Sequence, residues 1–105
     1  MFGIKVNIIR YISDEPQPGM VECKLEDAHG RQWSFVEKTA IVSAQYLDAD
    51  TPYPQRGVIA AEIVGRSVNA EGRETIRVDT DRPWHVESVD GVTQFEVLAE
   101  SLVEL

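Results

Sequence analysis

The chain has 105 residues, of which 43% are hydrophobic and 27% charged, with one cysteine and a formal net charge of −8. That length suits one domain able to close a core without staples. A lone cysteine excludes an internal disulfide and points to a reducing compartment, no apolar run approaches the ~18 residues of a membrane span, and the acidity excludes general nucleic-acid binding, because it repels phosphate backbones.

The first strand candidate is Phe2–Ile12. Ile4, Val6 and Ile8 fall on one face, while Ile9 and Tyr11 add apolar groups to the other. Its N-terminal stretch is broken by Lys5, Asn7 and Arg10 and lacks a basic-then-apolar leader pattern, so a cytoplasmic location is expected. Ser13–Gly19 holds Pro16 and Pro18 and is expected to loop, since proline cannot donate to a ladder.

The clearest element is Pro18–Lys38. Val21, Cys23 and Leu25 alternate with Glu22, Lys24 and Glu26, and Trp33 and Phe35 alternate with Gln32 and Ser34. Period-two alternation on both sides of Asp27-x-x-Gly30 predicts a β-hairpin with one dry face. Cys23 then belongs to the core rather than to a nucleophilic site. Thr39–Ser43 is β-branched and reads as another short strand. Ala44–Arg56, with two prolines, reads as a long loop with a helical turn near Ala44–Leu47.

Gly57–Ser67 is the next strand, with Ile59, Ala61 and Ile63 on one face, and Asn69–Gly72 is a tight turn. Arg73–Thr80 places Ile76 and Val78 inward and Thr75, Arg77 and Asp79 outward. After an interruption at Asp81–Trp84, His85–Val89 is expected to resume the ladder. Asp90-Gly91 predicts a type I′ turn, and Val92–Ala99 the last strand. Beyond it, Glu96, Glu100 and Glu104 are spaced by four, which also suits a helical turn. The whole predicts an all-β domain, a small closed or partly open antiparallel barrel of about seven strands, with a two-sheet sandwich as the alternative.

Charge separates the two halves. Residues 1–43 carry five basic and six acidic groups, residues 44–105 five basic and twelve acidic. Such a surface favours a partner with a basic face. No Cys-x-x-Cys, His-x-x-x-His, phosphate loop or Gly-x-Ser-x-Gly is present, so no catalytic residue, metal site or cofactor is assigned. Asp79, Asp81, Glu87 and Asp90 are carboxylates without the spacing of an EF-hand loop. His85, near Asp and Glu neighbours, is what a weak enzyme would use.

The candidate partner-binding residues are Tyr46, Asp48, Asp50 and Tyr53 in the long loop, with Trp84 beside Pro83. Aromatic side chains among acids, on a loop restrained by Pro52 and Pro54, suit capture of a basic protein surface. An immunity or inhibitor protein has this size and acidity. The alternative is a small-ligand site in a barrel mouth near Trp84, whose ring would otherwise cap an end of the barrel.

The phrases Gly19-x-Val21-x-Cys23-x-Leu25-x-Asp27-x-x-Gly30 and Pro83-Trp84-x-x-Glu87-Ser88-x-Asp90-Gly91-x-x-x-Phe95-x-Val97 resemble those of small, single-domain bacterial proteins of unknown function. The resemblance implies a bacterial, cytosolic, stand-alone domain and supplies no catalytic residues. The layout is also loosely similar to the β-barrel domains of translation elongation factors. The nucleotide-binding domain of those proteins has no counterpart here, so no GTPase role follows.

Overall fold

A computed structural model describes residues 1–105. Seven antiparallel strands form one curled, half-barrel sheet that stays open. They are β1 Phe2–Ser13, β2 Met20–Glu26, β3 Gln32–Lys38, β4 Gln55–Val68, β5 Glu74–Asp79, β6 Gln94–Leu98 and β7 Leu102–Glu104. The order across the sheet is β3-β2-β1-β4-β5-β6, and β7 pairs with the start of β1. No two-sheet sandwich forms. β4 is the long spine: its first half pairs with β1, from Gln55↔Ile8 to Ala61↔Phe2, and its second half with β5.

The alternation read from the sequence fills one core. Ile4, Val6 and Ile8 of β1, Val21, Cys23 and Leu25 of β2, Phe35 of β3, Ile59 and Ala61 of β4, Ile76 and Val78 of β5, and Phe95 and Val97 of β6 are all buried. They form a single cluster with Val42, Leu47 and Val86, which lie outside the strands. The two edges of the sheet, β3 and β6, face each other across the opening without a ladder. Side chains close the gap: Phe95 meets Trp33 edge-on at 5.3 Å between centroids and Phe35 at 5.6 Å. Two isolated backbone bonds span the opening as well, from Ala28 N–H to the Glu96 carbonyl and from Val89 N–H to the Ser34 carbonyl, each 2.8 Å.

Three turns share one construction. At Asp27, Asn69 and Ser88 the side-chain oxygen accepts the backbone N–H two and four residues ahead. The backbone carbonyl of the same residue accepts from Gly30, Gly72 or Gly91 three residues on. Those glycines take φ of 79°, 78° and 79°, the left-handed conformation that closes a type I turn with a bulge. Ser88–Gly91 therefore replaces the type I′ turn expected at Asp90-Gly91: only Gly91 has a positive φ there.

Other departures have local causes. Thr39–Val42 is one helical turn (α1), not a strand. It tucks Val42 into the core, and the chain at 44–47 is not helical. The loop ends at Pro54, because Gln55 and Arg56 already pair with β1. His85–Val89 forms no strand; it crosses the opening as an irregular plug with Val86 driven inward, 1% exposed. Thr80 fixes that plug, its Oγ1 donating to the Val86 carbonyl at 2.6 Å. Thr75 keeps the face opposite Ile76 but is buried there, its hydroxyl paired with that of Ser67 at 2.8 Å. After β6 comes one 3-10 turn, Ala99–Ser101, and then β7.

Candidate functional site

The loop Ala44–Pro54 is held from within. Leu47, 2% exposed, anchors it in the core. Asp48 organises the turn: its Oδ1 accepts the Asp50 N–H at 2.9 Å and the Thr51 hydroxyl at 3.2 Å, and its own N–H donates to Thr51 Oγ1 at 3.0 Å. The Asp48 carbonyl accepts the Tyr53 hydroxyl at 2.8 Å. Tyr53 packs its ring against the core. Burial pushes its phenol pKa up, and the Asp48 charge adds to that against a lowering hydrogen bond with Thr51.

Of the four loop residues singled out from the sequence, two are thus spent on the loop's own shape. Tyr46 and Asp50 remain free for a partner. Tyr46 is 81% exposed, beside the inward Leu47, and Asp50 is also exposed.

A third tyrosine joins this end. Alternation assigned Tyr11 to the face of Ile9, opposite Ile4, Val6 and Ile8. A β-bulge between Ile8 and Arg10 shifts the register, so Ile8 pairs with Cys23 but Tyr11 with Val21, both core residues. The extra residue reverses the parity of the strand beyond it, and Tyr11 turns toward the core. Its ring lies over Gly19, where an added Cβ would strike it. Its hydroxyl donates to Asp14 Oδ1 at 2.9 Å. That bond pushes the Tyr11 pKa up to about 12, helped by desolvation, the Asp14 charge, and the electrostatic influence of Tyr46 and Tyr53. All three tyrosines of the chain therefore gather at one end, interleaved with Asp14, Asp48 and Asp50.

Trp84 does not join them. It is 56% exposed and borders a groove of about 980 Å³ that also reaches Ala44, Gln45, Val58, Ala60 and Leu105. This groove runs over the outer face of β1 and β4. The interior of the half-barrel is occupied by the side chains of the core.

The remaining polar candidates are accounted for locally. Cys23 is fully buried, and its thiol pKa is pushed up to about 12 by desolvation, then by Glu37 and Glu22. A thiol held protonated at neutral pH is a poor nucleophile. His85 Nδ1 lies 3.2 Å from Asp81 Oδ1, with the imidazole 83% exposed, and no hydroxyl or thiol is hydrogen-bonded to the ring. His29 Nε2 lies 3.4 Å from Glu96 Oε2 at the surface. Asp79 is engaged by the Asp81 N–H at 2.9 Å and Gln94 Nε2 at 3.3 Å. No group of three or more His, Cys, Asp or Glu side chains is placed to share a metal ion, and no helix is long and apolar enough to cross a membrane.

Comparison with protein-family models, with curated proteins and with solved structures finds no match. The fold and site define an acidic half-barrel with a tyrosine-rich end.

Proposed function

We propose that this protein is a non-catalytic, cytoplasmic protein-binding module that presents the loop Ala44–Pro54 to a partner with a basic surface. The observation that carries the reading is the exposed Tyr46 on a loop pinned by Leu47 and Asp48. A large side chain with few rotors, displayed from a prefolded loop, loses little entropy on binding. Tyr11 and Asp14 extend the same end, and carboxylates there favour a cationic target and speed its approach. An immunity or inhibitor protein for a basic target is the physiological class with these properties.

The test is recovery of a partner from a native lysate and its identification, followed by titration against Tyr46→Ala and Asp50→Lys. Both variants should bind at least about tenfold more weakly, a loss of about 1.4 kcal/mol. They leave Leu47, Asp48 and Tyr53 untouched, so the loop keeps its shape. Unchanged affinity in both, or a partner without a basic surface, removes this loop from the account.

A further inference from the structure

The outer face of β1 and β4 carries a charge opposite to that of the molecule. Register places Lys24, Asn7 and Arg56 side by side across β2, β1 and β4. Lys5 and Val58 form the next pair on this face, and Val103, Gly3 and Ala60 the row after that. Gly3 has no side chain, and Val58 and Leu105 lean over it. Trp84 completes the apolar end of the groove. One end of this face is therefore cationic and the other apolar.

Three cationic side chains and no Asp or Glu line the groove, in a chain with eighteen acidic and ten basic residues. Glu22 lies 3.8 Å from Lys24 but is already bound by Arg10 at 2.6 Å. Lys5 and Arg56 have no ion-pair partner. They occupy diagonal positions on one face, roughly 7–8 Å apart at the backbone, where like charges repel and an anion between them relieves the repulsion.

We propose that this groove binds an extended acidic peptide segment of another protein, its carboxylates on Lys5 and Arg56 and a bulky apolar side chain on Val58, Leu105 and Trp84. From the Asn7 row to the Gly3 row is four residues, about 13 Å at 3.3 Å per residue. An extended ligand spans that distance with the same number of residues, which sets the recognised pattern as Glu-x-Glu-x-Leu or its equivalent. A small ligand needs most of its surface enclosed, and this trough lies open along the sheet. Ala44 and Gln45 of the loop form part of the groove wall, but the proposal rests on Lys5, Arg56, Val58, Leu105 and Trp84, none of which the loop reading uses.

The probe is a fluorescein-labelled peptide, Glu-Ser-Glu-Ser-Leu-Ser-Leu, followed by anisotropy at about 50 mM and about 200 mM salt. Saturable binding below about 1 mM is expected, weaker at the higher salt. Lys5→Glu and Arg56→Glu, both at exposed positions, should each weaken it about tenfold or more, and Trp84→Ala severalfold. A peptide with Lys in place of Glu should not bind. Thermal melts of the three variants confirm that each is folded. The proposal is overturned by absence of saturable binding, by charge-reversed variants that bind like the parent, or by decanoate binding this face while the peptide does not.

Discussion

Phe95 is where the two free edges of the sheet are zipped together, and its removal tests whether side chains substitute for the missing ladder. The residue is 3% exposed and touches both Trp33 and Phe35. Phe95→Ala should cost about 3–5 kcal/mol from lost burial and the cavity left behind. Against a total of about 5–15 kcal/mol for a domain of this size, that is a large share. At roughly 4 °C per kcal/mol the thermal midpoint should fall by about 12–20 °C. Phe95→Leu keeps much of the volume and gives up mainly the aromatic pairs, for about 1–2 kcal/mol. Urea titration followed by tryptophan fluorescence measures both. Hydrogen exchange at the Ala28 and Val89 amides, whose bonds cross the opening, should accelerate in Phe95→Ala more than exchange in the β1–β4 ladder. A loss below about 1 kcal/mol, or equal protection at the two places, would show that the edges are held by something other than Phe95.

Three further outcomes are expected. The Asp27 carboxylate loses stability of its ionised form to desolvation. It regains more from Trp33 Nε1 at 2.9 Å, from the backbone N–H groups of Arg31 and His29, and from the His29 charge, so its pKa falls below the usual 3.8. Because the folded value is the lower one, its contribution is present above pH 3.8 and disappears as the pH drops through the folded pKa. Asp27→Asn should cost about 1–2 kcal/mol at pH 7 and flatten acid unfolding below that range. Cys23 should resist a thiol reagent in the folded protein and label only on unfolding. Its folded pKa, raised from 9.0 to about 12, means that stability declines as the pH rises through that interval. Gly30→Ala and Gly91→Ala meet no atom within 4 Å, so each should cost only the backbone strain of a left-handed residue, about 1–2 kcal/mol by denaturant titration.

Period-two patterning makes the half-barrel legible in the sequence, because a strand with one dry face advertises it at every second residue. The Asp27 and Asn69 turns were legible for a similar reason: an Asx side chain and a glycine three residues later are local chemistry. Ser88–Gly91 is not distinguishable in the sequence, because Asp90-Gly91 matches a tighter turn equally well, and only the serine hydroxyl identifies the actual one. Thr39–Val42 has strand-like residues, yet the need to bury Val42 at the end of β3 overrides their preference. Tyr11 could not be assigned to the loop's end, since one unpaired residue in β1 reverses its face and nothing in the sequence marks where that residue falls. Asp48 and Tyr53 are legible as loop residues, but which polar groups satisfy one another depends on the loop's closed shape. The cationic outer face was invisible for another reason: Lys5, Lys24 and Arg56 are far apart in the chain and meet only through register.

The last strand lies against the first, and the Leu105 N–H donates to the Met1 carbonyl at 2.7 Å. Residues 1 and 105 are therefore neighbours in space. A short tether from 105 to 1 would complete the circle, and the exposed Asn69–Gly72 turn offers a place to cut it. The permuted polypeptide would keep every strand pair and carry its new ends far from Trp84, freeing that ring's surroundings of any fused tag.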